Sequence, residues 1–191
     1  MQALPTLPTL PAAPAEVRVW DPLVRALHWT LVATVALAWA TGDELDLVHT
    51  WLGEAVAVLV AVRLAWGFTG PRRARFASFV RGPAAVLRDA RLAAAGRAPR
   101  HLGHNPLGGW MIVALLLSLL AVAGSGWLMT QDAFSGSGWL EELHEGLAHG
   151  LLVLVALHVA GAVVTGWLHG ENLVKSMFSG RKRAPAADDV V

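Results

Sequence analysis

Eight histidines, at positions 28, 49, 101, 104, 144, 149, 158 and 169, carry most of the chemistry open to this chain of 191 residues. His28 and His158 fall well inside long apolar blocks, and His49 and His144 fall at the starts of two such blocks. His144 and His158 are fourteen residues apart. In a helix at about 100° per residue they lie only about 40° apart around the axis and about 21 Å apart along it. His149 is nine residues from His158, about 180° round, on the opposite face. His169 is in phase with His158 but lies beyond Trp167, at the block's end. Two histidines on one helix face, each with a partner on another helix, suit two six-coordinate haem irons. Imidazole on both sides leaves no open coordination position and favours electron transfer over oxygen chemistry. Zinc needs three or four ligands close together, and a fourteen-residue separation is too long for one such site. His101 and His104 stand in a basic segment and read as solvated; Met111 and Met129 read as packing residues.

Other chemistries lose support from composition. Cysteine is absent, which excludes disulfides, thiolate iron–sulfur clusters, thioether-linked haem and a cysteine nucleophile. No phosphate-binding glycine loop and no G-x-S-x-G is present, so neither nucleotide hydrolysis nor serine-esterase chemistry is indicated.

The elements that must position the histidines are membrane helices. The chain is 55% apolar and 15% charged, with mean hydropathy +0.51, against about 25% charged in soluble domains. The apolar residues form four blocks, 23–40, 51–68, 107–129 and 143–168, each long enough to cross a hydrocarbon core of about 30 Å. Period-two alternation is missing, so a barrel is not indicated. The expected fold is an all-α membrane protein, a four-helix transmembrane bundle. Residues 1–16 are Pro-rich and read as a disordered cytoplasmic tail, 17–180 as the bundle, and 181–191 as a basic then acidic C-terminal tail.

Charge sets the orientation. Segment 68–106 carries Arg72, Arg73, Arg75, Arg81, Arg88, Arg91, Arg97 and Arg100 against one acid, Asp89. Lys175, Arg181, Lys182 and Arg183 follow the last block, whereas Asp43, Glu44, Asp46, Asp132, Glu141 and Glu142 occupy the other connections. The positive-inside rule then puts both termini in the cytoplasm. Between two membrane spans, the basic segment reads as a lipid-facing and topological feature rather than a nucleic-acid site. Within it, 83–96 reads as a short surface helix with Val86, Leu87 and Leu92 towards lipid. Eight of the nine tryptophans lie near span ends, as an interfacial belt requires; Trp29, next to His28, is deeper.

Depth from that belt places His28 about 12 Å and His158 about 13 Å above the inner side. His49 comes out about 26 Å up, His149 about 27 Å and His144 about 35 Å. Depth therefore favours His149 as the partner of His49, whereas helical phase favours His144. His144 is taken as the ligand and His149 as its rival.

The chain resembles the bacterial cytochrome b561 family, in particular the branch with b-type cytochrome subunits of nickel–iron hydrogenases. The resemblance spans about 17–183 and rests on VRVWDPLVRALHW, VHTWLG, RLAWGFTGPRRARFASFVRGP, HNPLGGWM, LHEGLAHGLLVLVALHVAG and ENLVKSMFSGRKR. It implies four membrane helices in the bacterial inner membrane holding two non-covalent b haems, with ligands at His28, His49, His144 and His158. It also implies electron exchange with quinone or with a periplasmic partner, a cytochrome c or a hydrogenase-like redox protein. Glu54 departs from the pattern, where an apolar or aromatic residue is expected.

Arg63 and Lys175 are candidates for a haem propionate through charge-assisted hydrogen bonds, with snorkelling to lipid headgroups as the alternative. Glu54 is a candidate proton carrier in quinone oxidation or a headgroup-level carboxylate. Gly124, Gly126, Gly146, Gly150 and Gly161 either admit a flat macrocycle or serve close helix packing. The expected function is a diheme cytochrome moving electrons between the quinone pool and a periplasmic partner. A stand-alone superoxide or quinone oxidoreductase is the alternative, and a metal or haem transporter a more distant one. A second copy of the chain, in a homodimer, is a further candidate partner; nucleic acid is not.

Overall fold

The computed structural model describes residues 15–42 and 45–191. Asp43, Glu44 and most of the expected N-terminal tail lie outside the described residues. The elements run β1 (Glu16–Arg18), α1 (Pro22–Thr41), α2 (Asp46–Thr69), two 3-10 turns (Arg72–Ala74 and Phe76–Ser78), α3 (Pro83–Ala94), α4 (Pro106–Met129), a further turn (Asp132–Phe134), α5 (Gly138–Leu168), α6 (Leu173–Ser179) and β2 (Arg181–Arg183). Four of them, α1, α2, α4 and α5, are long and apolar enough to span a membrane.

Local sequence starts these helices where orphan N–H groups need acceptors. Asp21 precedes Pro22 and accepts from Val24 N–H at 3.1 Å; Asn105 precedes Pro106 and accepts from Gly108 N–H at 2.6 Å. Each pairs a capping side chain with a proline at a position that loses no helical hydrogen bond. α2 and α5 each begin five residues before the apolar blocks read from composition. His49 and His144 therefore lie inside their helices, His49 at the end of the first turn and His144 in the second.

The spans pack in a row: α1 against α2, α2 against α4, and α4 against α5. α5 barely touches α1 or α2. A core of Val56, Val60, Leu116, Leu119 and Leu151, with Leu31 and Val35 of α1 against it, closes the middle of the bundle. A cavity remains beside α5, between this apolar layer and the acidic end of the bundle. Gly67 is where α2 meets the following loop: a Cβ there would come 2.0 Å from Phe76 Cε2, so only glycine permits that approach.

Beyond the basic ends of the spans, β1 pairs antiparallel with β2, Val17 opposite Lys182. Glu16, read as tail, belongs to this ribbon. Residues 181–191 fold back as well: Leu102 N–H donates to Val190 O and Val190 N–H donates to Arg100 O, both at 2.9 Å. α3 is the short helix expected near 83–96. It exposes Leu87, keeps Val86 and Leu92 half-buried, and buries Asp89.

Candidate functional site

α2 and α5 both run from the acidic end of the bundle to the basic end. They carry matching heptads: His49, Val56 and Arg63 on α2, and His144, Leu151 and His158 on α5. Seven residues are close to two turns, so each set lies near one face. The rings of His49 and His144 stand 6.0 Å apart between centroids, one edge-on to the other. About 21 Å further along the helices, His158 faces His28 of α1, with centroids 6.4 Å apart. Val56 and Leu151 form the layer between the two levels.

His149 is not brought to His49. It is exposed, its Nδ1 hydrogen-bonds Glu145 O at 2.9 Å, and its ring meets Trp39 edge-on at 5.3 Å.

Hydrogen bonds orient the outer rings. His49 Nδ1–H donates to Ala38 O at 2.8 Å. Ser125 donates its hydroxyl to Val122 O at 3.0 Å, so its oxygen accepts from His144 Nδ1–H, also at 3.0 Å. Both bonds leave Nε2 with its lone pair free for a metal. A Cβ on Gly126 would come 3.0 Å from His144 Cε1, so glycine lets the ring lie against α4. A cavity of about 530 Å³ adjoins the pair, lined among others by Gly53, Glu54, Gly124, Gly126 and Thr130. That volume falls within the range of cofactor and ligand sites.

The arrangement fits haem b at both levels. Metal–nitrogen bonds of about 2 Å on each side, with each ring centre about 1 Å further out, place the centroids about 6 Å apart. Both pairs meet that span between helices that barely touch each other. At the inner level an orphaned cation adds support. Arg63 is 6% exposed; its Nη2 donates to Ala74 O at 3.4 Å, its Cζ lies 5.0 Å from the Phe76 ring centre, and Nη1 has no partner. Asp21 acts on Arg63 only at longer range, with no ion-pair contact among the described residues; a buried cation without a contacting carboxylate is costly, and a haem carboxylate would complete such a site. Lys175 is exposed and lines a shallow polar pocket with Glu171, Asn172 and Arg181. Among the described residues no group of three or more His, Asp and Glu is placed to hold a single metal ion.

Two histidines read as solvated are not. His104 packs between the rings of Trp20 and Phe79, at 4.6 and 4.9 Å. Burial, then the charges of Arg63, Lys182, His158 and His28, press its pKa down to about 3, so the ring is neutral. His101 Nε2 stands 3.6 Å from buried Asp89 Oδ1, and desolvation lowers its pKa against the pull of that carboxylate. Their basic neighbours in sequence concealed both. The only signal for His104 was its place before the Asn105–Pro106 helix start, where the chain must turn back to the bundle.

Compared with known protein families, residues 19–180 match the one described as prokaryotic cytochrome b561. No curated protein and no solved structure matches the chain.

Proposed function

The chain belongs to the prokaryotic cytochrome b561 family, and on that premise we propose that it carries two non-covalent b haems, between His28 and His158 and between His49 and His144, and passes electrons between the quinone pool and a redox protein outside. Membership establishes the coarser statement: this is a multi-pass b-type cytochrome of the bacterial inner membrane that transfers electrons. The observation that carries the finer reading is the pair of ring separations, 6.4 and 6.0 Å, at two levels of one bundle.

When bound, each haem supplies a one-electron couple, and two together match the two electrons of one quinol. The chain's own residues do the rest. The imidazoles of His28, His158, His49 and His144 would hold the haem irons and leave small molecules no coordination position. The Nδ1–H bonds to Ala38 O and Ser125 Oγ fix the outer tautomers. Arg63 Nη1 meets an inner carboxylate, with exposed Lys175 left for lipid headgroups or a second one. The Val56–Val60–Leu116–Leu119–Leu151 layer keeps water from connecting the two levels. Glu54, lining the outer cavity, supplies a carboxylate oxygen that takes a proton when quinol is oxidised there.

Both termini and the arginine-rich segment lie on the cytoplasmic side in this reading. The opposite end has acids at Asp46, Asp132, Glu141, Glu142 and Glu145, and no Lys or Arg occurs in 26–62 or 101–174. Such a face repels superoxide and attracts a cationic redox protein, which favours the carrier over the stand-alone superoxide oxidoreductase.

The test is haem content and component-resolved spectra of the purified chain. Two haems per chain, all removed by acid–acetone, are expected. His28→Ala and His158→Ala should lose one spectral component, His49→Ala and His144→Ala the other, and His149→Ala neither. One haem per chain, or a shared component for His28→Ala and His49→Ala, overturns the two-level assignment.

A further inference from the structure

Among the described residues Arg63 keeps one buried nitrogen, Nη1, without a partner, and His104 makes no hydrogen bond through its ring. Arg63 follows His49 by fourteen residues on α2, as His158 follows His144 on the parallel α5. It therefore sits at the level of the inner pair, and its side chain bends towards Ala74, on the cytoplasmic side. His104 belongs to the segment that enters α4 from that same side. An aromatic wall joins them: Arg63 lies over Phe76, Phe76 meets Phe79 at 5.8 Å, and Phe79 meets His104 at 4.9 Å. Trp20 closes the far end of the wall, held by its Nε1–H bond to Ser176 Oγ at 3.0 Å. Among the described residues neither ring nitrogen of His104 has a hydrogen-bond partner, and the residue as a whole is half-buried. Asp21, the acid at the start of α1, already accepts from Trp66 Nε1–H and Val24 N–H.

We propose that His104 and Arg63 together hold one carboxylate of the inner haem, the guanidinium by charge and the imidazole by an N–H bond. The proposal rests on the two-haem reading above. A carboxylate there would give the buried guanidinium a contacting charge partner, beyond the longer-range charge of Asp21, and the imidazole an acceptor, which offsets the desolvation of all three groups. A neutral imidazole suits this role, because one ring N–H donates without adding a second buried positive charge. Cancelling the carboxylate's charge favours the reduced haem, so removing either donor lowers that haem's midpoint potential.

Potentiometric titration of the full chain in detergent tests this, with the inner component identified by its loss in His158→Ala. His104→Phe and Arg63→Gln should each lower the inner midpoint three- to tenfold in the one-electron equilibrium constant, about 30–60 mV at 59 mV per decade. The outer midpoint should stay. The double variant should shift by less than the sum, because the donors share one carboxylate. Redox-difference infrared spectra should show the same carboxylate band altered in both single variants. Unmoved midpoints, a shift in the outer component, or full additivity overturns the proposal. So does a raised KM for quinol with both midpoints unchanged, which would assign His104 to a quinone site. Should His104→Phe lose the inner haem, His104→Gln, which retains a donor, decides: wild-type potential supports the proposal, and loss or the same shift overturns it. A wild-type chain with one haem defeats the underlying reading instead, before any variant is made.

Discussion

At the outer pair the two imidazoles are oriented by acceptors of different kinds. His49 leans on a main-chain carbonyl, Ala38 O, which no substitution removes; His144 leans on the Ser125 hydroxyl, which one does. Partners of this sort commonly change metal affinity about 10–100-fold. Ser125→Ala should therefore speed loss of the outer haem to an external haem acceptor about 10-fold or more, with the inner haem's rate unchanged. Equal rates in wild type and variant would remove Ser125 from the site. The histidines and their spacing were legible, because ionisable groups are rare in apolar helices and their types stand out. Ser125 was not, since a serine between two glycines in an apolar helix reads as packing. His104 and His101 were misjudged for a related reason. What buries them, Trp20 with Phe79 and the α3–His101 contact, comes from elsewhere in the chain.

Among the elements, α5 shows why depth and phase disagreed. At 31 residues it is about 46 Å long, well beyond a hydrocarbon core of about 30 Å. Trp167 at its end is 81% exposed and need not lie level with Trp66 of α2. Depths counted from those two anchors are therefore not on one scale, and the count placed His144 above His49. Phase within one helix needs no anchor, and the rings that meet at 6.0 Å are those of His49 and His144. The four spans were legible from composition, though their first turns were not. Those turns carry polar residues such as Asp46, Glu141 and Glu142, which continue α2 and α5 outward without adding to the apolar signal. Orientation is a property of the same helices. Fusions of a reporter active only outside the cytoplasm should be silent after Arg97, between α3 and α4, and active after Asp132, between α4 and α5. The same response at both points would break the four-span arrangement.

For the molecule as a whole, the inner end of the bundle is closed by an ion network that joins distant parts of the chain. Arg100 pairs with Glu171, in the α5–α6 link, and with Asp189, near the C-terminus, and donates to Arg183 O at 2.8 Å. Lys182 of β2 reaches Glu171 at 3.2 Å and His101 O at 2.9 Å. The sequence showed only a basic segment and a charged tail here, because the partners lie 71 and 89 residues from Arg100. The pairing holds the C-terminal residues against the segment that carries His104, at the end of the bundle nearer His28 and His158. Burial alone would raise the Glu171 pKa, but the hydrogen bonds and charges of Arg100 and Lys182 hold it below the usual range. The Asp189 carboxyl is lowered as well, first by the Ala186 N–H and then by Arg100. Carboxyls lowered in the fold contribute stability that is complete above their unfolded pKa, about 4, and lost as pH falls through the folded value. Removing Glu171 leaves Arg100 with Asp189 but strips buried Lys182 of the only acid it contacts among the described residues, which costs about 3–5 kcal/mol in comparable buried pairs. Amide exchange at Leu102 and Val190, corrected for intrinsic rate, should thus be slow near pH 6 and accelerate below about pH 4. Glu171→Gln should exchange fast at both, while the spans stay protected. If protection at those two amides ignores both pH and the Glu171 substitution, the strand contacts alone hold the C-terminal segment and the ion network does not.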